Sequence, residues 1–319
     1  MRVLVTGATG FVGRGLIRAC VDSGGVDVVA ALRNAQGYAE PHVDAVIIGD
    51  ISDAANNWGS LLEGVDVIVH LAGRAHVVGE AHAGALAKFR AVNLEGTTAL
   101  ARQARDNGVK RFILVSSIGV NGARTIGNPF WESSTPAPHA DYAVSKLEAE
   151  QALCQIAQGS TMEWVIVRPP LVYGAQAPGN FGRLLKLVSS GLPLPVASLQ
   201  NSRSMIAREN LVHFLLLCIT QPAAANQLFL ISDGIAMSTP EIITHLAVGM
   251  GMKPRLLPCP PVLMRWGARL IGRQSLYTQL CESLVIDSSK ANSLLEWLPP
   301  LSPDLALQKC GREFLAWKS

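Results

Sequence analysis

Apolar residues fall in short continuous runs separated by longer stretches with helical periodicity. The runs occupy residues 3–5, 26–32, 45–48, 65–71, 112–115 and 164–167. They lack the alternation of a strand with one wet face, so we expect parallel strands that are covered on both faces. Helical patterns lie between the runs, for example over residues 86–107 and 141–156.

The alternation of strands and helices predicts right-handed crossovers and an α/β fold with a Rossmann-type, doubly wound parallel sheet. Ligands of such sheets bind in the crevice at the carboxyl ends of the strands. The alternation fades after Pro169-Pro170, where proline-rich joints separate helical patterns. We therefore predict a Rossmann domain over residues 1–170 and a smaller α/β lobe over residues 171–319. This lobe should mainly bind substrate, with some segments returning to the Rossmann domain.

Composition and charge exclude several classes of protein. Of the 319 residues, 49% are hydrophobic and 16% are charged, as in folded globular chains. Lysine and arginine number 27 against 24 acidic residues without a basic run, so no nucleic acid partner is expected. The longest apolar stretch, residues 258–271, contains Arg265, Arg269 and three prolines, so no membrane span is expected either.

The cysteines and the first residues bear on the compartment. Six cysteines lie far apart without metal-ligand spacing, which predicts reduced thiols and no metal site. Met1-Arg2 runs directly into the first strand without the small-residue cleavage site of a signal peptide. We expect a cytoplasmic protein.

Three glycines lie in the turn between the first strand and the first helix. Gly7, Gly10 and Gly13 form the pattern Gly-x-x-Gly-x-x-Gly, which also contains Phe11 and Val12. Missing Cβ atoms let the backbone approach a pyrophosphate, and the helix N-terminus supplies free N–H groups and a positive dipole. At the first turn of a Rossmann domain, this pattern predicts that these residues bind NAD or NADP.

Residues at the ends of the next two strands bear on the choice of cofactor. Arg33 stands where an NAD-selecting fold usually carries an acid for the ribose 2′-hydroxyl. A guanidinium suits a 2′-phosphate and so favours NADP, although an arginine here can also be merely solvated. Asp50, which precedes Ile51, can accept from the adenine amino group or cap the following turn. We assign all three residues to the cofactor site.

Tyr142 and Lys146 are four residues apart on one face of a predicted helix. A free tyrosine titrates near about 10, so a nearby lysine and a nicotinium cation are both needed before it can act as a base at neutral pH. An amphipathic helix with an incidental tyrosine and lysine is the alternative. Within a Rossmann domain, we interpret the two residues as a catalytic pair that also contacts the cofactor.

Small and polar residues end two further strands. Ser116 and Ser117 follow the run at 112–115 and therefore lie where the crevice opens. One of them can hold a substrate hydroxyl, or cap a turn. In His70-Leu71-Ala72-Gly73, the last three residues should let a nicotinamide ribose approach. We interpret His70 itself as structural.

Together, these residues resemble the extended short-chain dehydrogenase/reductases, in the branch of UDP-glucose 4-epimerases and bacterial O-antigen nucleotide-sugar enzymes. The resemblance covers nearly the whole chain. Besides the segments above, it rests on Val92-Asn93-Leu94-Glu95-Gly96-Thr97, Arg168-Pro169-Pro170-Leu171-Val172-Tyr173-Gly174, Asp287-Ser288-Ser289-Lys290-Ala291 and Leu295-Glu296-Trp297.

The resemblance implies a role for each candidate residue. Tyr142 would be the acid/base, Lys146 would bind the nicotinamide ribose and lower the pKa of Tyr142, and Ser117 would be the hydroxyl partner. Ser116, Asn93 and Pro169 would contact the cofactor, and Asn180 and Arg203 would face the UDP of a UDP-sugar. Relatives often dimerise through four helices, which implies a possible homodimer through residues 86–107 and 141–156.

Two departures from the family pattern narrow the activity. The 4,6-dehydratases carry an Asp-Glu pair where this chain has Ile118-Gly119, and neither of these residues can move a proton. Many relatives also have an asparagine where Leu171 stands, and leucine cannot make the polar contact of that asparagine. The diphosphate of a nucleotide sugar is therefore expected to bind differently here than in those relatives.

With dehydration set aside, the resemblance implies hydride transfer at C4 of a UDP-hexose or UDP-N-acetylhexosamine. We favour a 4-ketoreductase of a UDP-4-keto-6-deoxy sugar, because residues 116–122 and 168–174 resemble those of proposed reductases. A UDP-glucose or UDP-GlcNAc 4-epimerase is the alternative. A dinucleotide-binding protein without catalysis is a more remote one, since Tyr142 and Lys146 are both present.

Overall fold

A seven-stranded, fully parallel sheet forms the centre of the protein in the order β3-β2-β1-β4-β5-β6-β9. Its strands are β1 (Arg2–Thr6), β2 (Asp27–Leu32), β3 (Asp44–Ile47), β4 (Val67–His70), β5 (Arg111–Val115), β6 (Glu163–Arg168) and β9 (Gln227–Leu230). A separate pair, β7 (Leu171–Tyr173) and β8 (Met205–Ala207), is also parallel. This computed structural model describes residues 1–36, 38, 40–41, 43–53, 56–75, 84–270, 272 and 274–318.

Helices cover the sheet and build the second lobe. They are α1 (Phe11–Ser23), α2 (Gly59–Leu62), α3 (Ala85–Arg90), α4 (Thr97–Asp106), α5 (Asp141–Ala157), α6 (Gly179–Ser189), α7 (Arg208–Thr220), α8 (Thr239–Gly249), α9 (Pro261–Leu270), α10 (Gln274–Cys281), α11 (Ser289–Leu295) and α12 (Pro303–Lys318). A π-helical turn, Ala91–Gly96, joins α3 to α4.

The doubly wound Rossmann-type sheet confirms the predicted fold class. Strand order reverses between β1 and β4, which both end in the crevice where Thr6 and His70 pair in register. The predicted single helix over residues 86–107 is interrupted by the π-helical turn. The expectation that every strand is covered on both faces is wrong for β3, whose residues are all exposed because it is the edge strand.

Two apolar clusters fix the sheet, one on each face. On one face, α1 and α7 pack on strand residues such as Val5 and Val167. On the other face, α4 and α5 pack on residues such as Leu4 and Ile166. Although β7 lies outside the central sheet, the later elements α7 and β9 pack on the sheet and extend it. The chain beyond residue 170 therefore also contributes to the Rossmann domain.

A third apolar cluster joins α6, α8 and α12 to the β7-β8 pair. Close approach of α8 and α12 requires glycine in both helices. A Cβ at Gly249 would lie 2.0 Å from the carbonyl oxygen of Gln308, and one at Gly311 would lie 2.3 Å from that of Leu246. These contacts hold the second lobe as a packed unit beside the carboxyl edge of the sheet.

Candidate active site

The glycine turn leaves a cradle of bare backbone at the start of α1. Gly7 has φ +68°, and a Cβ there would lie 2.7 Å from the Ala72 nitrogen. A Cβ at Gly13 would lie 2.2 Å from the Gly7 carbonyl oxygen, so only glycine lets α1 pack this close to the turn. The α1 N-terminus at Gly10 has no side-chain cap and no acid in its first turn. This geometry fits the pyrophosphate of NAD or NADP.

Phe11 and Val12 lie on the first turn of α1. The Phe11 ring lies against position 174, where a Cβ on Gly174 would come within 2.9 Å of it. The guanidinium of Arg208 stands over the same ring at 5.2 Å from its centroid. Val12 is half-buried against the cluster formed with α7. Both side chains therefore fix α1 against the chain that follows β6.

Arg33 and Asp50 form an ion pair with 2.6 Å between Nη2 and Oδ2. The other carboxylate oxygen of Asp50 accepts from the backbone N–H and the hydroxyl of Ser52. The Ser52 bonds, followed by the charge of Arg33, hold the pKa of Asp50 below its ordinary value. Asp50 thus caps the turn that follows β3. Ile51 is buried, and its carbonyl oxygen would lie 2.9 Å from a Cβ at Gly96.

A buried chain of hydrogen bonds runs through His70. The Thr97 hydroxyl donates its proton to the Asn93 carbonyl oxygen (2.6 Å). Its oxygen can therefore only accept from His70 Nε2 (3.0 Å). His70 Nδ1 then accepts from Thr6 Oγ1 (2.8 Å), which itself accepts from the Ala72 N–H (3.2 Å). Burial, with a smaller effect from Lys146, lowers the pKa of His70 to about 3. A neutral His70 thus links β1 and β4 to α4, which fits a structural role.

Asn93 is fully buried in the π-helical turn, a distortion that often marks functional sites. Its amide brackets the Arg74 backbone, accepting from the N–H (2.8 Å) and donating to the carbonyl oxygen (3.1 Å). It also donates to Ser145 Oγ (3.0 Å), and Ser145 donates to the Tyr142 carbonyl oxygen (2.8 Å). Asn93 therefore ties the loop after β4 to the helix that carries Tyr142.

Lys146 is buried beneath this loop. Its Nζ donates to the Val115 carbonyl oxygen (3.0 Å) at the end of β5 and would lie 3.3 Å from a Cβ on Gly73. Burial lowers the pKa of Lys146 to about 8, against an opposing effect of Glu150 on α5. The ammonium therefore sits at the crevice beside Gly73, with hydrogen-bond donors to spare.

The phenol of Tyr142 lies near the side chain of Ser117. Burial raises the pKa of Tyr142 to about 12, and Ser117 opposes this rise. Ser117 Oγ also accepts from the Gly119 N–H (3.1 Å), which fixes the hydroxyl after β5. Phe89 meets the Tyr142 ring edge-on, with centroids 6.1 Å apart. Ser117, Tyr142 and Lys146, which the sequence predicted as one group, thus converge at the carboxyl end of β5.

The two residues after Ser117, Ile118 and Gly119, carry no ionisable side chain. Ile118 donates its N–H to the Pro169 carbonyl oxygen (2.9 Å), and its side chain is buried against Leu230. The position after Ser117 is thus filled by a packed apolar side chain, where a 4,6-dehydratase would carry a carboxylate. Ser116 Oγ is buried without a hydrogen-bond partner among the described residues.

Asn180 and Arg203 lie in the second lobe. Asn180 is on the first turn of α6, where its side-chain oxygen accepts from Arg183 (3.4 Å). Arg203 donates through Nη1 to the carbonyl oxygens of Glu282 (2.8 Å) and Thr278 (3.4 Å). Burial lowers the pKa of Arg203. None of these contacts among the described residues is with Ser117 or Tyr142.

Sequence reasoning missed a buried ion pair behind the site. Arg168 and Glu150 are both almost fully buried, with Nε 2.9 Å from Oε1, and Arg168 also donates to Asn121 (3.0 Å). The signal in the sequence was the spacing of Glu150, one helical turn after Lys146, together with the arginine of the Arg-Pro segment. The pair anchors α5 to the end of β6.

Comparisons with known proteins agree with this fold. A model of the NAD dependent epimerase/dehydratase family matches residues 3–231. UDP-glucose 4-epimerase from Vibrio cholerae is 40% identical over 315 residues, which cover 98% of this chain and 95% of that protein. Ceramide reductase from Caulobacter vibrioides is 32% identical over 311 residues, covering 94% and 87%. The Bacillus cereus UDP-glucuronic acid 4-epimerase structure in complex with NAD has a TM-score of 0.79 at 21% identity, covering 99% and 96%.

These matches confirm the resemblance noted in the sequence. The family model spans most of the chain, including the glycine turn, the Tyr142–Lys146 helix and β9. The chain is an enzyme of the NAD-dependent epimerase/dehydratase family, within the short-chain dehydrogenase/reductases.

Proposed function

We propose that the protein transfers a hydride to C4 of a UDP-4-keto-6-deoxy sugar, with NADH or NADPH as the reductant and a 4-hydroxyl as the product. The Tyr142 phenol near Ser117, together with the buried Lys146 at the end of β5, carries this proposal. Bound NADH or NADPH supplies the hydride, and the oxidised cofactor leaves after each turnover.

The protonation state of Tyr142 supports reduction. With a pKa of about 12, the phenol holds its proton at neutral pH and can donate it to the C4 oxygen as that oxygen gains negative charge. Oxidation of an alcohol instead requires the phenolate, which burial disfavours. Reduced nicotinamide carries no positive ring charge, so it would leave this phenol protonated.

Ser117 and Lys146 then stabilise the phenolate that remains. Ser117 lowers the pKa of Tyr142, while Lys146 brings a cation to the same end of β5. Lys146 would also bind ribose hydroxyls of the cofactor, since its Nζ would lie 3.3 Å from a Cβ on Gly73. Tyr142 regains its proton from solvent, so one hydride and one proton are consumed per turnover.

We assign UDP to the second lobe. A guanidinium matches diphosphate oxygens in charge and in geometry, and Arg203 supplies one, with Asn180 as a polar partner. The Vibrio cholerae relative is named for a UDP-sugar, which supports this class of substrate. Dehydration is not proposed, because Ile118 and Gly119 cannot remove or donate a proton.

The 4-epimerase is a second candidate, favoured by the name of the 40% identical relative. It would oxidise C4, turn the sugar and return the hydride to the other face, keeping its NAD throughout. The name of the ceramide reductase relative favours net reduction instead. The exposed Arg33–Asp50 edge also suits a cofactor that exchanges with solvent.

Two incubations distinguish these activities. In the first, UDP-GlcNAc is mixed with protein without added cofactor, and UDP-GalNAc is sought. In the second, a UDP-4-keto-6-deoxy sugar is supplied with NADH or NADPH. We expect stoichiometric consumption of reduced cofactor in the second tube only. Catalytic interconversion in the first tube would overturn the reductase proposal in favour of the epimerase.

The variant Tyr142→Phe tests the catalytic assignment, because it removes only the ionisable hydroxyl. We expect kcat to fall by at least about 10²-fold, since general acid catalysis contributes about that much or more. Cofactor affinity, measured by fluorescence titration, should change little. Unchanged turnover would refute the role of Tyr142.

A further inference from the structure

Helix α9 carries four large apolar side chains into solvent. Val262, Leu263, Trp266 and Leu270 are between 53% and 83% exposed. At 3.6 residues per turn they fall within a sector of about 100°. Met264 points the opposite way and packs on the cluster of the second lobe. We call the four side chains the α9 face.

The sequence around α9 carries charge of one sign. Between Glu241 and Glu282 the chain contains no aspartate or glutamate, but it contains Lys253, Arg255, Arg265, Arg269 and Arg273. Arg265 and Arg269 lie along one flank of the α9 face, and both are exposed. An apolar stripe bordered by arginines, with an amphipathic tryptophan, is the pattern of a helix lying in a membrane interface.

We propose that the α9 face docks the protein on an anionic lipid bilayer, with its apolar side chains inserted and Arg265 and Arg269 against the headgroups. No helix in the described part of the chain is long and apolar enough to cross a membrane. The protein would therefore lie on the bilayer surface, and the second lobe would be the part held closest to it.

The charge pattern argues against a second copy of the chain as the occupant. In a twofold-symmetric contact the same patch meets itself, so the arginines of both copies would approach one another. The segment between Glu241 and Glu282 offers no acid to offset that repulsion. An anionic bilayer supplies the missing negative charge.

Vesicle sedimentation tests the proposal with the full chain. We expect the protein to pellet with vesicles of phosphatidylcholine and phosphatidylglycerol and much less with phosphatidylcholine alone, with binding weakened at about 0.5 M salt. Arg265→Glu/Arg269→Glu should lower partition into the anionic vesicles by at least about tenfold, as should Leu263→Glu/Leu270→Glu. These side chains are exposed, and circular dichroism checks that the variants are folded.

Two control variants show whether vesicle binding depends on the α9 face. Leu298→Glu removes an equally exposed leucine outside the α9 face and should bind as wild type does. Tyr142→Phe should also bind normally, so failure of the proposed function leaves this result intact. The proposal is overturned if the wild-type chain ignores anionic vesicles or if the α9 variants bind unchanged. It is also overturned if those variants alter only the oligomeric state or only the turnover of a UDP-sugar.

Discussion

Arg33 and Asp50, which follow neighbouring strands, pair with each other at 2.6 Å on an exposed edge at the carboxyl ends of β2 and β3. An exposed pair of this kind is worth about 0–1 kcal/mol, so a 2′-phosphate can compete for the guanidinium. We predict that Arg33→Asp weakens NADPH binding by about tenfold relative to NADH, because the charge available to the phosphate is reversed. Titration of both cofactors against wild type and variant measures this. Equal loss for both would show that Arg33 does not read the 2′-phosphate.

The contact between Gly13 and Gly7 predicts a second effect. An alanine at position 13 would place its Cβ against three backbone atoms of residues 7 and 8, so α1 must move. Overpacking of this kind costs about 1–3 kcal/mol. We expect Gly13→Ala to lower the free energy of unfolding by that amount and to weaken NAD binding, as measured by urea denaturation and titration.

Gly25→Ala is the matched control for Gly13. Gly25 follows the same helix, has no positive φ, and a Cβ there meets nothing within 4 Å. Its stability should stay within about 0.5 kcal/mol of wild type, and its cofactor affinity should not change. If both alanine variants behave alike, the packing argument for Gly13 fails.

Sequence reasoning reached local features and missed those set by distant contacts. The glycine turn and the spacing of Tyr142 and Lys146 are local, because turn sterics and helical periodicity act over a few residues. The pairing of Arg33 with Asp50 is not, since it depends on β2 and β3 lying side by side. Both residues are assigned to the cofactor site from the sequence, but nothing in the pattern predicts that they pair.

The interrupted helix and the two edges of the sheet follow the same principle. Residues 86–107 read as one helix, but the π-helical turn forms where Asn93 brackets the Arg74 backbone, a partner 19 positions away. Strand β9 has only four residues and follows a helix-rich stretch, so its return to β6 left little signal. The exposure of β3 likewise depends on its edge position.

His70 predicts how stability changes at acid pH. The unfolded chain protonates this imidazole near its ordinary pKa of 6.5, but the folded protein does so only near about 3. Between these values the unfolded state binds more protons, so stability falls as the pH falls. His70 alone should cost about 1.4 kcal/mol per pH unit within this window.

Urea denaturation at several pH values checks this slope against His70→Gln. The variant loses hydrogen bonds to Thr6 and Thr97 and should be less stable at pH 7. Its stability should nevertheless decline less steeply on acidification, because glutamine does not titrate. Parallel slopes would mean that other groups account for the acid sensitivity.

Arg168 and Glu150 provide the last prediction, which concerns a charge that cannot reach water. Glu150→Leu would leave the Arg168 guanidinium buried, with Asn121 as its one side-chain partner among the described residues, at a cost of about 3–5 kcal/mol. The double variant Glu150→Leu/Arg168→Met removes both charges and should recover most of that loss. Lys110→Met, which breaks the exposed pair with Asp66, should cost less than about 1 kcal/mol. A double variant as unstable as the single one would show that the ion pair itself, rather than the stranded charge, stabilises the end of β6 against α5.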